Sequence, residues 1–280
     1  MLAKLLADAD KLHADGGCST ATQTDLHDAL PRLLRAPREV SDSEAAAVGR
    51  ACAALLRATP PAGQFALLFL CRVLVGHEAF AIAWLDGGAL EVLLDGALRA
   101  GAPPAAKNAR VLGLTSLANL AGAPHGARLL LSDEPLCGLS HAHRGALHAR
   151  ALELVLLDEP DTASAAAALW YNLARELLPP STVDGTAWDE LWSGCLALPM
   201  RHAERHSRSV DSNATGHRET ARRLLLCAGQ LLVRGGDEAK ALALSVELPE
   251  ALGLLRTSAF CTDDAALGAL VAEVLSLAVE

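Results

Sequence analysis

RVLGLTSLANLAGAPHGARLLL, residues 110 to 131, reads as an apolar helix with one residue out of place. Asn119 sits inside the run, and a Gly-x-Pro-x-Gly break, Gly122 to Gly126, follows at once. An asparagine amide competes for backbone hydrogen bonds, so it is a poor choice for a helix interior. The same oddity recurs in ALWYNLARELLPP, residues 168 to 180, where Asn172 interrupts an equally apolar run.

Four long apolar segments share this design: LLFLCRVLVGHEA, LTSLANLAGAPHGA, ALWYNLARELLPP and LLLCAGQLLVRGG. Each carries one large polar residue near its middle and a helix stop soon after. Those polar residues are Arg72, Asn119, Asn172 and Gln230, separated by 47, 53 and 58 residues. The first separation is close to the roughly 40–47-residue period of HEAT and armadillo repeats, and the others leave room for inserted loops. Helices of this kind stack so that each repeat covers its neighbour's apolar face. A helix apolar almost all round fits the inner position of such a repeat, and its polar residue then finds an outlet in the concave groove. The pattern predicts an all-α, armadillo/HEAT-like right-handed superhelix of about six helical repeats. It is expected to form one domain over residues 1–280, with N-terminal helices in 1–58, central repeats in 59–246 and a cap in 247–280.

Composition agrees. Half of the 280 residues are hydrophobic (51%), aromatics make up only 3%, and Ala and Leu dominate. That mixture suits closely packed helices and not strands, which favour β-branched and aromatic residues. The formal net charge of −9 argues against a general nucleic-acid binder. No uninterrupted apolar run reaches the length of a membrane span, and the acidic, amphipathic N-terminus lacks the features of a signal peptide. The seven cysteines, at 18, 52, 71, 137, 195, 227 and 261, form no C-x-x-C pair. They read as small buried side chains in a reducing compartment, so a cytoplasmic or nuclear protein is expected.

Helices are predicted at 1–14, 24–36, 41–58, 64–75, 78–84, 88–99, 104–121, 125–131, 144–156, 162–177, 186–199, 216–234, 237–245, 247–256 and 263–279. The stops have mechanisms. Pro60-Pro61, Pro103-Pro104 and Pro179-Pro180 lack the N–H that a continuing helix needs, and Gly235-Gly236 ends the helix carrying Gln230. Ser41 and Glu44 have capping-box spacing. Residues 199 to 217, PMRHAERHSRSVDSNATGH, are the longest stretch with little apolar content and read as an exposed loop. The sequon at Asn213 carries no weight in an intracellular chain.

An amide side chain offers both a donor and an acceptor. Asn119, Asn172 and Gln230 in a groove therefore suit an extended peptide lying across the helices. The plainer alternative is that each bonds the carbonyl of a neighbouring turn or helix. Arg72, Arg110, Arg222 and Arg223 lie on the same helices or at their starts. A guanidinium there can fork onto a ligand carboxylate. For Arg110 and Arg222 a solvated or internally paired role is expected; Arg72, embedded in FLCRVLV, is harder to solvate. Catalytic and metal readings are weak. His202 and His206 lack the Glu of H-E-x-x-H, His141, His143 and His148 lack a companion ligand at metal spacing, and no phosphate or nucleophile-elbow motif occurs. No metal, cofactor or catalytic residue is expected, although a helical hydrolase using Cys or His is the rival class. A Cys–His pair within hydrogen-bond reach would favour it.

The residues also resemble a known family. PPAGQFALLFLCRVLV, 60 to 75, looks like the Pro-rich start, Phe and Leu-Leu-Arg-Leu helix of the PUL domain, the C-terminal armadillo-like domain of the PLAA/Lub/Doa ubiquitin-binding proteins. LTSLANLAGAPHGARLLL resembles its Leu-Arg-x-x-x-Asn helix, AAALWYNLARELL its Ala-rich helix ending in Asn, and ETARRLLLCAGQLL its Glu-x-x-x-Arg helix. The likeness covers roughly residues 40 to 279, with four degenerate blocks in the right order. It implies a non-enzymatic adaptor that binds the acidic C-terminal tail of the valosin-containing AAA ATPase in ubiquitin-dependent protein handling. Arg72, Asn119, Asn172, Arg223 and Gly229 stand at matching positions. With Thr115 and Gln230, the first four form the expected partner-binding set. Thr115 replaces a family arginine, and Phe69 and Ala66 replace an Asp and a Pro. No WD40 propeller or ubiquitin-binding domain precedes the array, so an excised domain or a divergent stand-alone protein is expected, as a monomer. The alternative is an armadillo/HEAT scaffold for another extended peptide or protein.

Overall fold

In the computed structural model, residues 2–16, 19–131, 140–157, 159–177, 186–206 and 214–279 are described. They contain sixteen α-helices and three short 3₁₀ turns, with no strand among them. The protein is all-α, with paired helices in the armadillo-like manner. Cys18, Cys137, Pro179-Pro180 and Asn213 lie outside the described residues. The chain divides into two compact units, residues 1–150 and 151–280.

The first unit begins with α1 (Leu2–Ala14), α2 (Thr20–Asp28) and α3 (Leu30–Arg35). The helix expected over 24–36 is thus two helices. Pro31 occupies the first turn of α3, where its missing N–H costs nothing, but it cannot extend α2. α4 (Asp42–Ala58) starts where Ser41 and Glu44 predicted, with Ser41 Oγ accepting from Glu44 N–H (3.3 Å) and Glu44 Oε2 accepting from Ser41 N–H (3.0 Å). It packs on α6 (Glu78–Asp86), and small residues let the backbones meet. A Cβ on Gly49 would sit 2.5 Å from Phe80 O, and one on Gly87 would sit 2.5 Å from the Ala53 methyl. Phe80, Trp84 and Leu56, all fully buried, fill this contact. Each such side chain contributes roughly 1.5–3 kcal/mol by leaving water.

α5 (Phe65–Leu74) packs against α8 (Lys107–Gly122), which is joined to α9 (Pro124–Leu131) through the Gly-x-Pro-x-Gly break. The break is needed for close approach as well as termination: a Cβ on Gly126 would collide with Leu120 O at 1.9 Å. α7 (Ala89–Asp95) stops at Gly96, short of the expected residue 99. The 97–102 turn after it is held by two arginines. Arg110, only 4% exposed, donates to Ala97 O (3.1 Å) and Ala102 O (3.2 Å). Arg150, on α10 (His141–Val155), donates to Leu98 O and Arg99 O. Arg110 therefore has the internal role expected of it.

The second unit is organised around α13 (Ala214–Ser245), which packs on α11 (Pro160–Ala174), α12 (Thr186–His206) and α16 (Ala265–Val279). α14 (Leu248–Arg256) and the short α15 (Ala259–Thr262) complete it. α13 is two helices merged across a kink at Gly236, whose φ of 52° only glycine adopts freely. The predicted stop at Gly235-Gly236 is therefore real. α12 differs from expectation: it runs through Pro199 and on to His206, where a loop was predicted from residue 199. Burial decides it, because Pro199, His202 and Ala203 face the core and His202 lies beside His217 with ring centroids 5.6 Å apart. Trp170 and Trp192 are the largest buried side chains here, and Gly235 gives Trp192 room, since a Cβ there would come within 2.7 Å of its ring.

Candidate functional site

The 47-residue offset between Arg72 and Asn119 corresponds to the packed pair α5 and α8. At the end of α5 the Gly76 N–H turns back to Val73 O (3.4 Å), so Arg72 O loses its regular backbone donor. Helix ends leave such carbonyls to be satisfied from outside. Asn119 Nδ2 does so, donating to Arg72 O at 2.6 Å. One turn earlier Ser116 Oγ donates to Leu112 O (2.9 Å) and reaches Leu68 O at 3.4 Å, and beyond the break His125 Nε2 lies 3.4 Å from Val75 O. The asparagine that looked misplaced ties the end of one helix to the next.

This tie sets the backbone from which Arg72 projects. The Arg72 side chain is half-buried, with its guanidinium carbon 3.9 Å from the Phe69 ring centroid. Phe69 in turn stacks on Phe65 at 6.3 Å between centroids. Phe65 and Val73 are 43% and 61% exposed, so Arg72 stands in an open apolar surround. Among the described residues no carboxylate pairs with it. Thr115, half-buried, donates its hydroxyl to Val111 O (2.7 Å) within its own helix and brings no charge to this face.

In the second unit, Arg223 is committed internally. Its Nε donates to Glu219 Oε1 (3.0 Å) and its Nη1 donates to both Ser164 O (2.8 Å) and Ser164 Oγ (2.9 Å), binding α13 to α11. Arg222 pairs with Glu219 and Asp264, each at 3.0 Å, which is the internal role expected for it. Asn172, on the last turn of α11, is half-buried and not a free amide. Gln230 is half-buried on α13 and lines a cleft of about 410 Å³ against α16. Its Oε1 is sealed from solvent without a donor among the described residues. Of the six expected residues, Asn119 is bonded to the Arg72 backbone and Thr115 bonds within its own helix. In the other unit Arg223 ties α13 to α11, Gln230 lines a cleft and Asn172 is half-buried.

The apolar surround of Arg72 and the cleft walls were not foreseen. Exposure of Phe65, Val73, Leu226 and Val233 has no periodicity signal in helices that are apolar nearly all round. The five described cysteines are all buried. A hydrogen bond with Cys52, together with burial, pushes the Cys71 thiol up; burial, with Cys227 beside it, does the same to Cys195. Both shifts disfavour a thiolate nucleophile. Among the described residues no cluster of three potential ligands could hold a metal, and no helix is long and apolar enough to cross a membrane.

Paired helices, with no strand among the described residues, define the class, an all-α armadillo-like protein. A family model for the PUL domain matches residues 1–258. The chain belongs to the PUL domain family, whose members are protein-interaction modules. The match begins at the first residue, so it takes in the N-terminal helices that carry none of the four blocks read from the sequence. Among solved structures, the crystal structure of an engineered protein superposes with a TM-score of 0.54 at 18% identity, covering 82% of this chain and 78% of that one. At that identity the likeness concerns fold alone. No curated protein matches the sequence.

Proposed function

We propose that this chain is a non-enzymatic adaptor that docks the acidic C-terminal tail of the valosin-containing AAA ATPase. Membership of the PUL family supports a protein partner, and one observation carries the rest: the guanidinium of Arg72, laid over Phe69 on an open apolar face with no carboxylate partner among the described residues. Phe69 stands where the family usually has an Asp. An Asp one turn before Arg72 would sit at pairing distance on the same helix face and offset its charge. With Phe in its place the cation is held by a ring and stays available to a ligand carboxylate. An acidic peptide with an apolar or aromatic neighbour fits that combination.

Asn119 serves this site through its grip on Arg72 O, so it positions Arg72 and need not touch the peptide. Thr115 contributes no cation where the family has arginine, which leaves Arg72 as the principal anchor in the first unit. Arg223, Asn172 and Gln230 belong to the same expected set; Arg223 is committed to Glu219 and Ser164, so it supports α11 and need not touch the peptide. Calorimetric titration with a synthetic tail peptide tests the reading. Saturable binding that a scrambled peptide of equal charge lacks is expected; no heat at high micromolar concentration sinks it.

A further inference from the structure

The cleft between α13 and α16 supports a second binding role, which does not depend on tail docking. Leu226, Gly229, Gln230 and Val233 follow one another along α13 at i, i+3, i+4 and i+7, and α16 answers with Leu270, Glu273, Val274 and Leu277 at the same spacing. Each row covers two helical turns, about 10 Å of groove. Its volume, about 410 Å³, lies in the range of ligand pockets, roughly 300–1,000 Å³. Leu226 and Val233 remain 38% and 67% exposed at its edge. Gly229 faces α16, where a Cβ would make ordinary contact with Val274 Cγ2 at 3.5 Å.

Two features say what fits. The walls are apolar, so an extended peptide would leave its own N–H and C=O groups facing Leu and Val, a costly arrangement. A helix satisfies its backbone internally and can lay an apolar stripe into such a groove. The charges are two to one: Arg175 and Arg234 border the cleft with Glu273, and neither guanidinium has a carboxylate partner among the described residues. We propose that this cleft docks an acidic amphipathic helix of a partner protein, its apolar stripe seated between α13 and α16 and its carboxylates on Arg175 and Arg234.

The test uses the full chain and three fluorescein-labelled peptides: one with Leu at i, i+3, i+4 and i+7 and Glu elsewhere, its Leu→Ala counterpart, and its Glu→Lys counterpart. Fluorescence anisotropy is expected to show binding of the Leu/Glu peptide and at least about tenfold weaker binding of the other two. Val233→Glu, at an exposed position, is expected to weaken the Leu/Glu peptide about tenfold or more without lowering the melting temperature. Leu226→Glu serves as a second variant. Arg72→Ala is expected to leave this peptide's affinity unchanged, so a failure of tail docking does not touch the inference. Equal binding of the Glu→Lys peptide, equal binding of a Pro-broken peptide that cannot form a helix, or no effect of either cleft variant overturns it. Self-association of the unliganded chain that Val233→Glu abolishes would also overturn it, by making a second copy the occupant.

Discussion

Replacing Asn119 separates a tie between helices from a groove contact. Its Nδ2 donates to Arg72 O at 2.6 Å, and the bond lies where solvent can reach it. Water can therefore take over part of the carbonyl's need, and Asn119→Ala is expected to cost the net worth of one hydrogen bond, about 0.5–1.5 kcal/mol. Asn119→Asp keeps the shape and puts an acceptor against the carbonyl. It also sets a negative charge at the C-terminal end of α5, which adds about 0.3–1 kcal/mol of helix-dipole cost. The aspartate variant should thus be the less stable of the two, by roughly that amount. Urea unfolding at neutral pH reads both values, and an unchanged m-value would show that the denatured state is not the cause. Should both variants lie within about 0.5 kcal/mol of wild type, the ordinary range for an uninvolved surface site, the helix tie carries no energy and the reasoning fails.

Other positions follow the same logic. Arg110→Met keeps the buried stem but strands Ala97 O and Ala102 O, and a loss of about 2–5 kcal/mol is expected from urea midpoints; a loss under about 1 kcal/mol would mean that water replaces the guanidinium. Gly49→Val forces side-chain atoms onto Phe80 O, so α4 and α6 must separate, at about 1–3 kcal/mol or more. An unchanged melting temperature would contradict that contact. Glu44 is held down to about 2 from an ordinary 4.5 by hydrogen bonds from Arg32 and Ser41. Its folded pKa is depressed, so its contribution is complete above about pH 4.5 and is lost as pH falls toward 2. The stability gap between wild type and Glu44→Gln should close over that window; a gap independent of pH would refute the assignment.

Much of the fold was legible because its punctuation is local. The Ser41–Glu44 cap, the Gly-x-Pro-x-Gly break and the Gly236 kink each act within a few residues of themselves. The recurring polar residues also carried real long-range information, since the 47- and 58-residue offsets match the packed pairs α5 with α8 and α11 with α13. Pro31 was visible and should have divided the 24–36 helix. The continuation of α12 to His206 was not visible, because core burial of His202 and Ala203 outweighs a proline and a polar composition. Nor could periodicity show which backbone atom an amide grips. Asn119 was singled out from its residue type and its 47-residue offset from Arg72, but the bond to the Arg72 carbonyl is visible only in the structure. The Arg72 site was half legible: the arginine stood out in an apolar run, whereas the ring beneath it and the absence of a paired carboxylate among the described residues are facts of packing.

The most direct test of tail docking is calorimetry of the tail peptide with wild type, Arg72→Ala and Arg72→Lys, alongside their melting curves. A charge-assisted contact is worth about 1.5–3 kcal/mol, so Arg72→Ala is expected to weaken binding by roughly 10- to 150-fold. Arg72→Lys should recover only part of that, because an ammonium cannot spread over Phe69 or fork onto a carboxylate as a guanidinium does. All three proteins should melt together. Unchanged affinity in a fully folded Arg72→Ala protein would contradict the account.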